Sequence, residues 1–249
     1  MTEVFGIDVE ERITSGAELR DIIAPPNART ADKVIDHVDD LARKFIAASP
    51  FAVIASRRPD GRLDLSPRGD PPGFARVLNK KTLVLPDRAG NRRMDTFENI
   101  LRDPYVGLYF LIPGHKDTLR ISGRAALVRD KKLAAHSRER NSVAEILLLI
   151  HVERVLSHCP KCMLRSSLWA HERWPKNRDV PTLAEMMVRH SELSISVEDM
   201  QDIIDRDAKT RVYSSPEEYF GHVNLDLTND RNQNNKGSSN HYLVVRKTQ

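Results

Sequence analysis

The stretch Thr118-Leu-Arg-Ile-Ser-Gly-Arg-Ala-Ala-Leu-Val128 alternates between apolar and polar side chains along most of its length. Its apolar side chains fall on one face of an extended chain: Leu119, Ile121, Ala125 and Leu127. Arginine and serine occupy positions between them. A period of two residues is typical of a β-strand with one buried face. The segment therefore predicts a long strand in an antiparallel sheet.

Five further segments carry strand patterns: Phe51–Ser56, Leu63–Pro67, Thr82–Pro86, Tyr105–Ile112 and Glu145–Leu156. Tyr105–Ile112 is almost continuously apolar, so we expect it to be buried on both faces. Glu145–Leu156 is rich in leucine, and a helix is an alternative there. Five or six strands with short turns predict a mainly β fold with flanking helices. Its centre is expected to be a closed or half-closed antiparallel barrel.

Helical patterns lie outside these strands. Ser15 is a candidate N-cap for a short helix that runs through Ile23. A stronger pattern opens at Thr30 and stops near Pro50, with apolar residues at helical spacing. Asp95–Leu101 predicts one or two further helical turns.

These patterns divide the chain into four parts. Residues 1–30 form a lead-in with a short helix, and residues 31–190 form the barrel domain. Residues 191–220 are expected to be a helical extension. Residues 221–249 are expected to be a disordered tail, because their centre is almost entirely polar.

Composition restricts the function of this chain of 249 residues. Its net charge of +4 comes from basic residues spread among acidic ones, which favours a small anionic ligand over nucleic acid. No segment approaches the roughly 18 apolar residues of a membrane span, and the first residues lack a secretion signal. With only two cysteines a disulfide framework is not indicated. We therefore expect a cytoplasmic protein that binds neither membranes nor nucleic acid.

Two arginine-bearing loops each follow a predicted strand. The first, Leu65-Ser-Pro-Arg-Gly-Asp70, offers a hydroxyl, a guanidinium group and a glycine. The second, Leu85-Pro-Asp-Arg-Ala-Gly-Asn-Arg-Arg93, places three arginines around a glycine before a helical turn. Each alone is also compatible with a solvated polar loop. Together they favour a shared phosphate site.

A third segment contains Cys159 and Cys162, followed by Arg165 and Trp169. Zinc needs four ligands, and the histidines nearby match no zinc pattern, so we expect no metal. A redox dithiol is an alternative, but we expect two buried, structural thiols on a helix. If the segment is helical, Arg165 and Trp169 share a face, which suits either an aromatic anionic ligand or a packed interface.

Seven motifs in order resemble FMN-binding flavoproteins related to pyridoxamine 5′-phosphate oxidase, over about residues 30–190. They are Leu65-Ser-Pro-Arg-Gly-Asp-Pro-Pro-Gly73, Leu85-Pro-Asp-Arg-Ala-Gly-Asn-Arg-Arg93, Asn99-Ile-Leu-Arg-Asp-Pro104, Tyr109-Phe-Leu-Ile-Pro-Gly114, Thr118-Leu-Arg-Ile-Ser-Gly-Arg-Ala125, His158-Cys-Pro-Lys161 and Arg165-Ser-Ser-Leu-Trp169. Cys162 departs from the small apolar residue expected there. The tail beyond residue 215 has no counterpart.

The resemblance implies an antiparallel split β-barrel that forms a homodimer, with two FMN molecules at the subunit interface. Ser66 and Arg68 match the strand beside the isoalloxazine ring and the phosphate. Pro86 and Asp87 match the strand end whose backbone faces the ring. These are expectations from the resemblance, whereas the residues themselves favour the two arginine loops.

The resemblance also assigns the remaining cofactor contacts. Residues 91–93, which are Asn91, Arg92 and Arg93, match the basic segment that holds the phosphate. Arg165, Ser166 and Trp169 match a segment that reaches the flavin of the other subunit. The expected function is an FMN-dependent oxidoreductase that transfers hydride from an unidentified small organic substrate. The alternative is a non-catalytic flavin- or haem-binding protein. No catalytic residue is assigned, and the C-terminal phosphate-binding pattern expected for vitamin B6 oxidation is not matched.

Overall fold

A computed structural model describes residues 1–27, 32–88, 90–139, 142–176, 180–210 and 212. In these ranges the strands are β1 (Thr2–Val4), β2 (Ile7–Val9), β3 (Phe51–Arg57), β4 (Leu63–Gly69), β5 (Arg76–Asn79), β6 (Thr82–Pro86), β7 (Tyr105–Leu111), β8 (Thr118–Val128) and β9 (Leu147–His158). The helices are α1 (Gly16–Ile22), α2 (Asp40–Ala48), α3 (Asp95–Arg102), α4 (Lys131–Ala135), α5 (Lys161–Ser166), α6 (Leu183–His190) and α7 (Val197–Thr210). A short 3₁₀ helix spans His171–Arg173.

Seven of the strands form one antiparallel sheet in the order β4-β3-β7-β8-β9-β6-β5. One face carries the main hydrophobic core, with Ile54, Phe110 and Ile150 fully buried. Helices α2 and α3 pack near this sheet, and α2 places Ile46 in the core. The predicted class, mainly β with flanking helices, is confirmed.

The strand predictions hold for all six segments, with one correction. Leu147–His158 is a strand, so the helical alternative for that region is wrong. Tyr105–Leu111 was expected to be buried on both faces. After the exposed Tyr105, its residues instead alternate between buried and half-buried, because none of the described residues covers the second face of the sheet.

That uncovered face, which we call the open face, is notably apolar. Leu63 and Leu65 of β4 are 73% and 68% exposed. Val53, Ala55 and Tyr109 continue the surface on β3 and β7 and are only half-buried. Apolar residues of β4 therefore alternate as predicted, but they point away from the core.

Gly123 marks an irregularity between β8 and β9. The register shifts between Ser122 and Gly123, so that Glu153 is the extra residue of a β-bulge. A Cβ atom on Gly123 would meet the backbone oxygen of His151 at 1.9 Å. Only glycine allows this close approach of the two strands.

The helices follow the sequence less closely. Ser15 caps α1 as predicted, since its side chain accepts a hydrogen bond from the backbone N–H of Glu18 at 3.2 Å. The next helix begins after Asp39 rather than at Thr30, which lies outside the described residues. Ile35 pairs instead with Val155 in an isolated β-bridge, and strand pairing there overrides the helical spacing.

Three features were not predicted. Residues 2–9 form the hairpin β1–β2, whose turn places Phe5 and Gly6 at positive φ. The short strand β5 extends the sheet beyond β6. Helix α6 was not predicted, and it packs on α7, which falls within residues 191–220, the part of the chain expected to be helical.

The expected tail at 221–249 lies outside the described residues. Within the described ranges, no helix combines the length and the apolar character needed to cross a membrane.

Candidate arginine pocket

Two ion pairs join β4 to the end of β6, which lie on opposite sides of the sheet order. Arg68 Nη1 donates to Asp87 Oδ1 at 3.3 Å, and Arg88 Nε donates to Asp70 Oδ2 at 2.6 Å. The chain at the end of each strand thus supplies one arginine and one aspartate to the other. These contacts require the sheet to curl until its two halves meet. We call these four residues the seam.

The seam is substantially buried. The side chains of Arg88 and Asp70 are 16% and 2% exposed, and Arg88 Nη2 also donates to the Ser137 carbonyl at 2.6 Å. The Arg68 guanidinium lies 5.2 Å from the centre of the Phe97 ring, a cation–π arrangement. The seam therefore closes the fold as well as supplying charge.

Asp87 has a perturbed acidity. Burial raises the pKa of its carboxyl group above the ordinary value, because desolvation disfavours the charged form. The positive charges of Arg68 and Arg88 and a backbone hydrogen bond oppose this shift without cancelling it. A carboxyl group with raised pKa beside a basic pocket is a frequent property of functional sites.

Next to the seam lies a second, exposed group, which we call the clamp: Asn91, Arg92, Arg93 and Asp95. The Asn91 side-chain oxygen accepts from the backbone N–H of Arg93 at 3.0 Å. Arg93 Nε donates to Asp95 Oδ2 at 2.8 Å, and this bond lowers the pKa of Asp95. Arg92 has φ of 61°, a left-handed conformation that is uncommon for a non-glycine residue.

Helix α3 starts at the clamp. Its N-cap residue, Met94, makes no side-chain capping hydrogen bond. The first backbone N–H groups of a helix have no partner within the helix, so such a terminus favours an anion. The first turn also contains Asp95 and Glu98, which partly offset that preference.

Seam and clamp together line one small pocket. Its walls are formed by Arg68, Asp87, Arg88, Gly90, Asn91, Arg92, Arg93, Met94 and Phe97. Its volume is about 50 Å³, whereas pockets for drug-sized ligands usually measure about 300–1,000 Å³. The two arginine loops identified in the sequence thus meet, around a space suited to a phosphate-sized group.

Two other predicted cofactor residues lie close to this region. Ser66 is half-buried on β4, opposite Ile54 in the register, and so shares a face with Arg68. Pro86 is buried at the end of β6, directly before Asp87. Neither lines the pocket itself.

The segment 165–169 is not gathered into the same pocket. Helix α5 ends at Ser166, because Ser167 adopts a left-handed conformation with φ of 51°. Trp169 is therefore not on the helix, and the predicted shared face with Arg165 is wrong. The Trp169 indole N–H donates to the carbonyl of His115 in the same chain at 2.8 Å. The Ser166 hydroxyl donates locally to the Met163 carbonyl at 3.3 Å.

The cysteine expectation also needs correction. Cys159 and Cys162 are both exposed, unpaired thiols, and only Cys162 lies within α5. They are not the buried pair that was expected. In the described part of the chain, no group of three or more histidine, cysteine or acidic residues could hold a metal ion.

Sequence reasoning named Arg88 within its loop but assigned it no role, and it missed Asp70 and Phe97. The sequence does contain a pattern that indicates the pairing of Arg88 with Asp70. Arg68 and Asp70 on one strand are matched by Asp87 and Arg88 after another, a reversed order that suits reciprocal pairing. Nothing in the local sequence indicates that Phe97 lies beneath Arg68.

The model of the pyridoxamine 5′-phosphate oxidase family matches residues 38–159 and assigns this segment to that family. The segment contains β3 to β9, both arginine loops and the seam. No curated protein sequence matches significantly.

Solved structures resemble the chain at low identity. HupZ of Group A Streptococcus is 17% identical, with a TM-score of 0.39, and the match covers 48% of this chain and 93% of that one. General stress protein 26 from Bacillus anthracis is 15% identical, with a TM-score of 0.36, covering 46% and 88%. An FMN-binding protein from Syntrophomonas wolfei is 11% identical, with a TM-score of 0.38, covering 47% and 82%. Similarity at this level carries no functional argument.

Proposed function

We propose that the protein binds FMN and acts as an FMN-dependent oxidoreductase on a small organic substrate. The observation that supports this most directly is the small basic pocket at the N-terminus of α3, where both arginine loops meet. The family to which residues 38–159 belong adds to that support.

The donor set of the pocket fits a phosphate group. Four arginines line it, namely Arg68, Arg88, Arg92 and Arg93. Three carboxylates, those of Asp70, Asp87 and Asp95, already pair with three of these arginines. The local balance is therefore about one positive charge. This excess positive charge suits an anion. A phosphate in the pocket would accept charge-assisted hydrogen bonds from the arginines of the clamp.

Within the pocket the two groups have separate tasks. Arg92 and Arg93 would hold the phosphate, since Arg93 is 67% exposed and its partner Asp95 is 42% exposed. Arg68 would add a donor from the seam, fixed in direction by Asp87 and Phe97. Arg88 would remain with Asp70 and keep the loop in place.

The pocket is too small for a whole flavin, so the isoalloxazine ring would lie outside it. FMN, when bound, supplies two-electron hydride chemistry. Asp87 is the residue of the pocket that could hold a proton on its carboxyl group, given its raised pKa. The protein otherwise contributes binding, orientation and electrostatics.

We also propose that a second copy of the chain covers the open face. A groove of about 240 Å³ crosses that face, and its walls include Val53, Leu65, Tyr109 and Leu156. Contiguous exposed apolar surface of this kind marks an association site. A partner there could reach the flavin ring with its own Arg165, Ser166 or Trp169.

The visible spectrum of the purified full-length protein tests cofactor identity. Flavin bands, with FMN released on denaturation, would support the proposal. A Soret band would favour the haem-binding alternative. Neither chromophore, combined with failure to bind added FMN, would refute it. Oxidoreductase activity then requires that a screened substrate bleach the flavin without oxygen.

Light scattering tests the second copy. Leu65→Glu should raise the dimer dissociation constant by at least about tenfold and reduce FMN content, because it buries an unpaired charge. Leu41→Glu is a matched control, since Leu41 is 74% exposed on α2 and away from the open face. A monomer with full FMN content would contradict the dimer proposal.

A further inference from the structure

Cys159 and Cys162 lie on one tight turn. Pro160 has φ of −75° and ψ of −3°, and the next residue, Lys161, starts helix α5. The backbone N–H of Leu164 donates to the Pro160 carbonyl at 3.0 Å. Cys159 and Cys162 are therefore the first and last residues of a four-residue turn, whose end Cα atoms lie less than about 7 Å apart. Disulfides usually join Cα atoms about 4.4–6.8 Å apart.

Both thiols are accessible to reagents. Each is exposed, neither is joined in a disulfide, and no metal-binding cluster involves them within the described ranges. Buried structural thiols are inert, whereas exposed ones can exchange. This exposure is the feature that the sequence alone did not reveal.

Cys159, but not Cys162, borders a separate cleft of about 340 Å³. Lys33, His115 and His158 line it together with a single acid, Asp117. Lys33 supplies an ammonium group and the two histidines supply ring nitrogens that can donate hydrogen bonds, whereas Asp117 is the one acid among the lining residues. Carboxylate groups on a small ligand are suitable acceptors for these donors.

Two contacts from other parts of the fold fix the position of His115 in the cleft. Phe45 meets the His115 ring edge-on, with ring centres 5.6 Å apart and an angle of 86°. The Trp169 indole N–H holds the His115 carbonyl at 2.8 Å. Phe45 also packs against the main core. The cleft is therefore positioned by the fold rather than by a loop alone.

We propose that Cys159 and Cys162 form a dithiol–disulfide couple that exchanges with small anionic disulfides bound in this cleft. The Cys159 thiolate attacks one sulfur of the disulfide, its bond breaks, and the first small thiol leaves with the proton lost by Cys159. Cys162 then attacks Cys159 Sγ, forming the protein disulfide and releasing the second thiol with the Cys162 proton. Two electrons pass from the protein pair to the small disulfide.

This inference does not depend on the proposed FMN function. The cleft and the arginine pocket share no lining residue. FMN content can be measured in the same samples, so failure of one proposal is distinguishable from failure of the other.

Oxidised glutathione is the first probe, followed by intact-mass spectrometry of the full-length protein. The wild type should lose two hydrogens and release two glutathione molecules for each one consumed as the disulfide. Cys162→Ser should stop at a stable glutathione adduct on Cys159. Wild type that accumulates adducts without an internal disulfide, or that does not react, would overturn the couple.

The direction of attack has its own test. Cys159→Ser leaves only Cys162, which does not border the cleft, so its glutathione adduct should form more slowly than that of Cys162→Ser. Lys33→Ala should slow the reaction of Cys162→Ser with oxidised glutathione about twofold to fivefold, the scale of an exposed charge contact. It should leave the reaction with neutral 2-hydroxyethyl disulfide unchanged. Equal slowing of both probes, or faster reaction at Cys162, would overturn the role of the cleft.

Discussion

The seam and the clamp use the same two residue types in opposite surroundings. In the seam, Arg88 and Asp70 are almost enclosed, and their 2.6 Å bond joins two strands. In the clamp, the side chains of Arg93 and Asp95 are 67% and 42% exposed, and the two residues are only two apart in sequence. Burial makes the loss of one partner costly, whereas solvent lets an exposed pair exchange partners cheaply. The seam thus holds the fold, and the clamp can accept a ligand.

The largest expected effect is the loss of Arg88. Arg88→Ala removes the guanidinium charge that meets the buried Asp70 carboxylate, which should reduce the free energy of unfolding by about 3–5 kcal/mol. Arg57→Ala is the matched control, because Arg57 is 61% exposed and meets Asp103 at 3.6 Å. That control should change stability by no more than about 1 kcal/mol. If urea unfolding shows that both variants lose the same free energy of unfolding, the seam is no more important for stability than an exposed surface pair.

The clamp should show the reverse pattern. Arg92→Ala and Arg93→Ala each remove a charge-assisted bond worth about 1.5–3 kcal/mol, so FMN affinity should fall roughly tenfold to a hundredfold. Stability without cofactor should change by no more than about 0.5 kcal/mol. Titration calorimetry and urea unfolding measure the two quantities. Unchanged affinity in both variants would remove the clamp assignment.

Asp87 should make the stability of the seam depend on pH. Because its pKa is raised in the folded state, its contribution to stability is present at low pH and is lost as pH rises through the folded pKa. An amide cannot ionise, so Asp87→Asn should become more stable relative to wild type as pH rises through that window. The measurement is urea unfolding of both proteins without cofactor at several pH values. If the difference in free energy of unfolding between Asp87→Asn and wild type does not change with pH, or if it falls as pH rises, the raised pKa is contradicted.

The smallest effect concerns Asp95. This carboxylate competes with a phosphate for Arg93, and the exposed pair contributes about 0.2–1 kcal/mol. Asp95→Asn should therefore tighten FMN binding by up to about fivefold. Asp103→Asn, which removes a carboxylate outside the pocket, should leave the affinity unchanged. Weaker binding in Asp95→Asn would mean that Asp95 orients Arg93 for the ligand.

The sequence predicted the strands well because alternation is a local signal of one buried face. The proximity of the two arginine loops was also predicted, because both follow strands of one sheet. The reciprocal pairing in the seam was missed, because partner choice between distant arginines and aspartates depends on how the sheet curls. The exposure of Cys159 and Cys162 was missed for a related reason. The local sequence gives the spacing of the two thiols, but it does not show which side of helix α5 is covered by the rest of the fold.

Long-range pairing also explains the other errors. Ile35 follows a helical spacing, yet its backbone pairs with Val155, a contact far along the chain. Trp169 was placed on a helix that ends three residues earlier, at Ser166. Its indole instead bonds to His115. Neither contact is visible in the local sequence, because His115 and Val155 lie far along the chain from the residues that meet them.

Riboflavin lacks the phosphate of FMN, so comparing the two ligands shows whether the clamp recognises that phosphate. Titration calorimetry of wild type and Arg93→Ala with both ligands completes a double-difference cycle. We expect wild type to prefer FMN over riboflavin, and Arg93→Ala to reduce this preference roughly tenfold to a hundredfold. Riboflavin affinity should be unchanged by the substitution. An equal loss of affinity for both ligands, or an unaltered preference for FMN, would contradict recognition of the phosphate by the clamp.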